Sequence, residues 1–411
     1  MHVLLLPTYP TIWEIADLSA PGISASDKQL YQSILPGIPN IKPKGTNEGD
    51  FSGVNYNYAA DPDCWWSGNG CTTPKLKGLA KDVTVCNEPN TWGYTLDDGP
   101  NCTHNAFFDY LQSIEQKATL FYIGSNVLDW PLEAQRGLAD GHEICAHTWS
   151  HHYMTSLTNE QAFAELYFSK KAIKDILGVT VRCWRPPFGD VDDRIRYIAK
   201  QLDMETIVWL DDTHDWQWTT IGQPAVQKNY DAIFAQQKQG KYNAHGTIVL
   251  SHEINAGTMN LSMKNLPQMR EQFTGGVMPV AVCRNNTQPY LEQSSYTYPN
   301  YAQWAVGTRS VSLAAPTAVS TAGQELSFAT AGLSTVTGPA VMSSASSTAA
   351  SSAATSAAAA SGSASASGGA QASAARQSGS TKQNTSGAVG SAVVAPLVAL
   401  VGAAVGVAAV L

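Results

Sequence analysis

The feature of this sequence that most constrains its fold is an alternation of short apolar runs with helical patterns between residues 92 and 283. Runs rich in β-branched and aromatic residues predict strands, and apolar residues spaced three or four apart predict helices. The predicted strands are 94–96, 118–123, 142–147, 181–184, 206–210, 247–250 and 278–283. The predicted helices are 107–114, 132–139, 159–177, 193–202, 224–239 and 258–273. Repeated strand–helix units predict an α/β fold, a distorted and incomplete (β/α) barrel of about seven parallel strands.

Composition divides the chain into four predicted regions. Residues 1–80 are rich in Gly, Pro, Asn and aromatic residues without a sustained period, which predicts an irregular wrap over the barrel. Residues 81–290 form the predicted α/β domain. Residues 291–390 are mostly Ser, Thr and Ala, with too few large apolar side chains for a core, and we expect a disordered stalk.

The last region, residues 391–411, contains only small or apolar residues and is just long enough to span a bilayer. Small residues lie upstream, within 378–388, and no Lys or Arg follows the apolar run. This arrangement is typical of a GPI-attachment signal, with a true tail anchor as the alternative. We therefore expect a secreted protein that is GPI-anchored to the plasma membrane or the cell wall.

Charge and cysteine content exclude several classes of protein. The net charge is −8 and no Lys/Arg-rich run occurs, which argues against a nucleic-acid partner and fits an uncharged polymer better. None of the seven cysteines forms a CxxC pair, so a thiolate zinc finger is not expected. Cys145 and Cys183 are interpreted as buried thiols on strands. Two disulfides are plausible by position, Cys64–Cys71 and Cys86–Cys283, and the odd count leaves at least one thiol free.

Side chains suited to acid–base or metal chemistry follow five of the predicted strands. Functional groups of parallel α/β folds lie at the carboxyl ends of their strands, so these side chains are expected at one edge. They are Asp97 and Asp98, His147 and His151, Arg185, Asp212 and Asp215, and His252. Taken singly, each segment also fits an ordinary turn, helix cap or structural histidine.

The spacing of His147 and His151 favours a metal site. Residues four apart share one face of a helical turn, which is the spacing of metal ligands. One Asp and two His leave a coordination position open for water, whereas structural zinc takes four protein ligands. The same ligand set also suits iron. A serine hydrolase is disfavoured because Gly-x-Ser-x-Gly is absent from the chain.

Together these segments resemble the five motifs of the carbohydrate esterase family 4 polysaccharide deacetylases, the NodB-homology domain. The motifs occur in order between about residues 86 and 285, as Thr95-Leu96-Asp97-Asp98-Gly99-Pro100, His147-Thr148-x-x-His151, Arg185-Pro186-Pro187-x-Gly189, Asp212-x-x-Asp215-Trp216 and Leu250-Ser251-His252. Leu96 departs from the Phe that is usual in the family. With the stalk and the apolar tail, the chain most resembles fungal GPI-anchored chitin deacetylases.

The resemblance implies a monomeric enzyme that removes acetyl groups from chitin or another N-acetylglucosamine polymer. Peptidoglycan or acetylated xylan is the alternative substrate, and a non-catalytic cell-wall binding protein is a more remote alternative. One divalent metal, zinc or else cobalt, is implied as the cofactor. Its implied ligands are Asp98, His147 and His151.

The resemblance also implies the other roles at the site. Asp97 is the implied general base, which Arg185 orients, and His252 protonates the leaving amine. Asp215 is the first choice to hold His252, and Asp212 is the second. The backbone N–H of Phe188 is an expected donor to the oxyanion. Residues expected to contact the substrate are Phe188, Trp216, Trp149 and Leu250, with Trp65 and Trp66 as outer sugar contacts.

Overall fold

The strand-forming segments pair into one parallel sheet in the computed structural model of the protein, which describes residues 8–20, 22–292 and 296–313. The described residues belong to one compact unit, and a second unit, 343–411, lies outside them. The strands of the sheet are β1 (Thr91–Gly99), β2 (Thr119–Tyr122), β3 (Glu143–Ala146), β4 (Cys183–Trp184), β5 (Glu205–Thr206), β6 (Asp211–Asp212), β7 (Thr247–Leu250) and β8 (Gly276–Met278). A separate antiparallel pair is formed by β9 (Tyr296–Thr297) and β10 (Ser312–Leu313).

The sheet follows the order β5-β4-β3-β2-β1-β7-β6, and β8 pairs with β1 away from this path. Its central strand, β1, is buried along nearly its whole length and pairs in parallel with β2, β7 and β8. The predicted α/β class and the distorted, incomplete barrel are therefore confirmed. Because all these strands are parallel, their carboxyl ends lie along one edge of the sheet.

Helices connect the strands. Their bounds are α1 (Ala25–Ile34), α2 (Trp66–Asn69), α3 (Asn105–Ser113), α4 (Gly124–Asp129), α5 (Pro131–Ala139), α6 (Asn159–Leu177), α7 (Asp193–Gln201), α8 (Trp218–Ile221), α9 (Gln223–Lys238), α10 (Ala256–Gln272), α11 (Val280–Cys283) and α12 (Tyr301–Ala305). The longest, α6, has the predicted bounds. Thr158 and Gln161 form a capping box at its start, and Gly178, at φ 77°, ends it in the left-handed region that favours glycine.

Two predicted strands differ most from the observed ones. The run 206–210 is not one strand, since β5 ends at Thr206 and β6 begins at Asp211. The run 278–283 contains only the end of β8, because Pro279 follows Met278 and lacks the amide hydrogen that would continue the ladder. The residues beyond it form α11 instead.

The irregular segment before β1 is fastened to the barrel through a buried lysine. Lys44 Nζ lies 2.7 Å from Asp63 Oδ2 and 2.7 Å from Asp192 Oδ2, and all three residues are buried. Asp192 also caps α7. A buried cation with two carboxylate partners is expensive to break, so this contact holds the segment against the sheet. The limits of the four predicted regions themselves remain predictions.

Three disulfides are present rather than two. Cys64–Cys71 and Cys86–Cys283 occur as expected, and Cys102 is a free, exposed thiol. The interpretation of Cys145 and Cys183 as thiols was wrong, because they form a third disulfide. Parallel pairing of Ala146 with Trp184 places the preceding residue of each strand side by side.

The predicted stalk beyond residue 313 and the predicted GPI-attachment tail at 391–411 lie outside the described residues. Within the described part of the chain, no helix combines the length and the apolar character that crossing a bilayer requires.

Candidate active site

The predicted acid–base and metal-binding side chains lie at the carboxyl ends of five strands. Asp97 and Asp98 lie near the carboxyl end of β1, His147 follows β3, and Arg185 follows β4. Asp215 follows β6 and His252 follows β7. The parallel sheet thus brings residues separated by up to 155 positions to one edge.

Asp98, His147 and His151 converge on a common point. Asp98 Oδ1 lies 3.3 Å from Nε2 of His147 and 3.1 Å from Nε2 of His151. One ligand atom of each residue lies within 4.8 Å of the others. Apart from these two imidazole nitrogens, the buried Asp98 Oδ1 has no hydrogen-bond partner in the described structure. Three convergent ligand atoms, one of them otherwise unsatisfied, fit a divalent metal held by two imidazoles and a carboxylate.

A hydrogen bond at Nδ1 of His147 determines which of its two ring nitrogens faces the candidate metal position. His147 Nδ1 lies 2.8 Å from the carbonyl oxygen of Arg185. A carbonyl only accepts, so Nδ1 carries a proton and Nε2 is the nitrogen that faces Asp98 and is available as a metal ligand. Burial opposes ionisation of Asp98, but His151 and His147 hold the pKa of its carboxyl well below the ordinary value. The carboxylate is therefore ionised, as a metal ligand must be.

The two histidines do not share a helical turn, so the predicted geometry was wrong although the spacing suited convergence. Thr148 and His151 have φ values of 63° and 60°, in the left-handed region. Glu165 of α6, which belongs to none of the sequence motifs, stabilises this loop. Its carboxylate accepts hydrogen bonds from the backbone amides of Trp149, at 2.9 Å, and Ser150, at 2.8 Å.

Arg185 lies fully buried beneath Asp97. Its Nη1 donates to Asp97 Oδ1 at 2.6 Å and to Thr95 Oγ1 at 2.8 Å. The guanidinium also packs over the rings of Phe121, at 4.0 Å, and Trp209, at 5.6 Å. Asp97 Oδ2 lies on the side of the three candidate metal ligands, 3.7 Å from His147 Nε2. One oxygen of Asp97 is thus held and the other faces the candidate metal position.

Asp215 holds His252, and it is the first of the two residues that the sequence analysis offers for this role. Asp215 Oδ1 lies 2.6 Å from His252 Nδ1, and Oδ2 accepts the His252 backbone amide at 2.8 Å. Asp212 instead accepts the amide of His214 at 2.7 Å. Burial disfavours a charged imidazole, but Asp215 outweighs it and raises the pKa of His252 to about 10. His252 is therefore a cation with a proton to give at neutral pH.

The variant Asp215→Asn is expected to move the alkaline limb of the kcat–pH profile to lower pH. Asp215 raises the pKa of His252, so its removal lowers that pKa, and the proton is lost at a lower pH. Activity below the new pKa should be affected least. The profile is measured between pH 5 and 10 with the variant Asp212→Asn as control. An unchanged alkaline limb would show that His252 is not the proton donor that this limb reports.

Two of the predicted substrate-contacting side chains are exposed. Phe188 and Trp216 expose 45% and 48% of their surface. The Phe188 ring stacks on Tyr153 at 4.0 Å and meets the edge of His151 at 4.7 Å. Phe188 has φ 57°, and its backbone amide donates to no acceptor in the described chain. An unpaired amide beside a candidate metal position suits an oxyanion.

The other predicted substrate contacts need correction. Trp149 is fully buried, because its ring stacks on Tyr9 at 5.5 Å and its Nε1 donates to the carbonyl of Thr11. Leu250 exposes only 5% of its surface, which leaves little for a sugar. Trp65 is 1% exposed and is excluded as an outer contact, whereas Trp66 is half-buried and packs against Trp209 at 5.1 Å.

An incomplete α/β barrel with an Asp-His-His group beside a buried carboxylate and a cationic histidine is typical of metal-dependent hydrolases. Comparison with known proteins narrows this class. The polysaccharide deacetylase family model matches residues 84–207. Chitin deacetylase 2 of Cryptococcus neoformans var. grubii is 48% identical over 315 residues, which cover 75% of this chain and 68% of that protein.

Two further relatives carry the same description. The chitin deacetylase of Amylomyces rouxii is 46% identical over 292 residues, 70% of this chain and 69% of that protein. The solved chitin deacetylase of Colletotrichum lindemuthianum is 21% identical, with a TM-score of 0.47 over 52% of this chain and 96% of that one. From the family model and the first two relatives, the chain belongs to the polysaccharide deacetylase family. Deacetylases of this family are in general metal-dependent.

Proposed function

We propose that this protein hydrolyses the N-acetyl groups of chitin, giving chitosan and acetate. The observation that carries the proposal is that a held carboxylate, Asp97, lies beside the Asp-His-His group and that its backbone is bridged to the residue proposed as the acid, His252. The names of the relatives, which are chitin deacetylases at 46–48% identity, support chitin as the substrate. The net charge of −8 also suits an uncharged polymer better than a polyanion.

Asp97 acts as the general base in this proposal. Its Oδ2 takes a proton from a water molecule, whose oxygen forms a bond to the acetamide carbon. Arg185 donates a hydrogen bond to the other oxygen of Asp97 and fixes its position. The carbonyl π electrons move to oxygen, and the Phe188 amide donates a hydrogen bond to the resulting oxyanion.

His252 acts as the general acid. It donates its Nε2 proton to the sugar nitrogen while the carbon–nitrogen bond breaks and the oxyanion re-forms a carbonyl. The sugar leaves as an amine, and the acetyl group leaves as acetic acid, which ionises. Asp215 holds His252 through Nδ1, so Nε2 faces the substrate.

The proposed metal ligands are Asp98, His147 and His151. A divalent ion there would lower the pKa of the attacking water and polarise the acetamide carbonyl. Zinc is the proposed ion, with cobalt as a substitute, because two imidazoles and one carboxylate are a common catalytic zinc set. Phe188 and Trp216 are the proposed contacts for sugar rings, which pack their apolar faces on aromatic side chains.

We also propose that the protein works outside the cell. Three disulfides support this location, since such bonds persist in oxidising compartments. Attachment through a GPI anchor rests on the tail at 391–411 alone and stays a sequence prediction, as do the limits of the four regions, the monomeric state and the absence of a nucleic-acid partner.

The test is acetate release by the secreted full chain from four substrates: chitin oligomers, colloidal chitin, peptidoglycan and acetylated xylan. We expect release from the chitin substrates that chelator abolishes and zinc restores. Release from peptidoglycan or xylan alone would overturn chitin as the substrate. If no substrate releases acetate while the protein binds chitin, the non-catalytic alternative replaces the proposal.

A further inference from the structure

A second acid–histidine pair lies buried behind the candidate active site. Glu253 and His104 are both fully buried, and His104 Nδ1 lies 3.0 Å from Glu253 Oε2. His104 precedes α3, and its ring stacks on Phe108 with 4.0 Å between centroids. Neither residue follows from the spacing of strands and motifs, and the mechanism above uses neither.

The backbone of Glu253 joins the two segments that carry the acid and the base. Its amide donates to the carbonyl of Asp97 at 3.0 Å, and its carbonyl accepts from Asn101 Nδ2 at 2.5 Å. His252 is the preceding residue. Glu253 thus ties the segment that leaves β1 to the loop that leaves β7.

The side chain of Glu253 fills the space that the same loop encloses. Its carboxylate lies so close to Gly99 that a Cβ atom at this position would overlap Glu253 Oε1. Oε1 has no hydrogen-bond partner in the described structure, and neither does His104 Nε2. Burial raises the pKa of the Glu253 carboxyl. Unsatisfied buried polar atoms of this kind cost stability, so packing alone does not account for the pair.

We propose that Glu253, held by His104, is a positioning residue that fixes His252 relative to Asp97 and Asp98. This inference rests on the proposed roles of those three residues. Proton transfer requires heavy atoms within hydrogen-bond reach, and misplacing a reacting group by 1 Å costs about 100-fold in rate. His104 sets the position of the Glu253 carboxylate, and the carboxylate in turn supports Gly99, the residue after Asp98.

The variants Glu253→Leu and Glu253→Gln separate positioning from packing. Leucine cannot bond His104, so kcat is expected to fall by about 10- to 100-fold while KM for a chitin oligomer changes little. Glutamine keeps the size and one hydrogen bond to His104, and should restore most of kcat. Equal kcat in the wild type and Glu253→Leu, per folded and metal-loaded molecule, would overturn the proposal.

A double-mutant cycle tests the partnership with His104. The variant His104→Phe keeps an aromatic ring against Phe108 but removes the bond to Glu253. If the two residues act as one unit, Glu253→Leu combined with His104→Phe should be no slower than the slower single variant. Additive losses in kcat would show that Glu253 does not act through His104.

Glu143 provides a matched control at the other end of the sheet. It is a buried carboxylate at the first residue of β3, where it accepts hydrogen bonds from Thr119 Oγ1, at 2.6 Å, and the Ala281 amide, at 2.8 Å. We expect Glu143→Gln to lower the thermal midpoint without changing kcat. A parallel loss of kcat in this control would make the effect of Glu253→Leu one of stability alone.

Crystal structures of the wild type and Glu253→Leu give a readout that does not depend on activity. The proposal expects the separation of His252 from Asp97 to change in the variant, and unchanged positions would overturn it. A wild type without activity toward any substrate would contradict the proposed function instead, and the structural comparison would still decide the positioning role.

Discussion

Replacing Asp97 by asparagine is expected to lower kcat for acetate release by about 10²- to 10⁴-fold, the usual contribution of a positioned general base. An amide has no basic oxygen that takes a proton from water at neutral pH. Asparagine can still turn its carbonyl oxygen toward Arg185, which donates to Asp97 Oδ1 in the wild type. The chain should therefore fold, with a lower stability because buried Arg185 loses its charged partner.

Two further measurements make this result specific. Zinc content of Asp97→Asn should match the wild type, since Asp97 is not among the three proposed ligands. The exposed carboxylate of Asp109, which pairs with Arg136 at 2.5 Å, supplies the control Asp109→Asn, with kcat unchanged. If kcat of Asp97→Asn stays within a few-fold of the wild-type value, a group other than Asp97 is the general base.

The positions of the proposed acid and base follow from the sequence because strand periodicity determines where each strand ends. The apolar run that forms β7 ends at Leu250, and His252 comes two residues later. In a parallel sheet this is enough to place His252 at the same edge as Asp97. Asp215 is within reach for the same reason, although its strand is short and the predicted strand 206–210 does not form.

Loop conformation and distant packing could not be predicted from local patterns. His151 reaches Asp98 through left-handed residues at 148 and 151, which nothing in the spacing of the two histidines indicates. Trp149 is buried by Tyr9, a residue 140 positions away. The conformation of the His151 loop and the burial of Trp149 both depend on which segment covers the barrel. The periodicity of apolar residues in the sequence contains no information about that.

The third disulfide shows a similar limit. The sequence places Cys145 and Cys183 on strands, and both strands exist. Whether the thiols meet depends on which strands are neighbours and on their register, here Ala146 opposite Trp184. Glu253 and His104 were missed for a related reason, because their contact is made by a loop that folds back under Gly99.

Binding of zinc to the metal-free protein is expected to raise its thermal midpoint, and His151→Ala is expected to remove most of this rise. A ligand that binds only the folded state at 100 times its Kd stabilises it by about 2.7 kcal/mol. His151 contributes one of three ligand atoms, and its side chain is partly exposed, so alanine leaves no buried cavity. Losing a residue that only supports a metal ligand costs about 10- to 100-fold in metal affinity. Losing a ligand itself should therefore cost more.

The control for this experiment is His245→Ala. His245 precedes β7 at the amino end of the sheet, and its Nδ1 contacts only the carbonyl of Gly246 among the described residues. Its zinc-dependent rise should equal that of the wild type. Chelator should abolish acetate release by the wild type, and zinc should restore it. If His151→Ala keeps the full zinc-dependent rise, the metal is bound elsewhere, and Asp98, His147 and His151 are then an ion-pair cluster and not a metal centre.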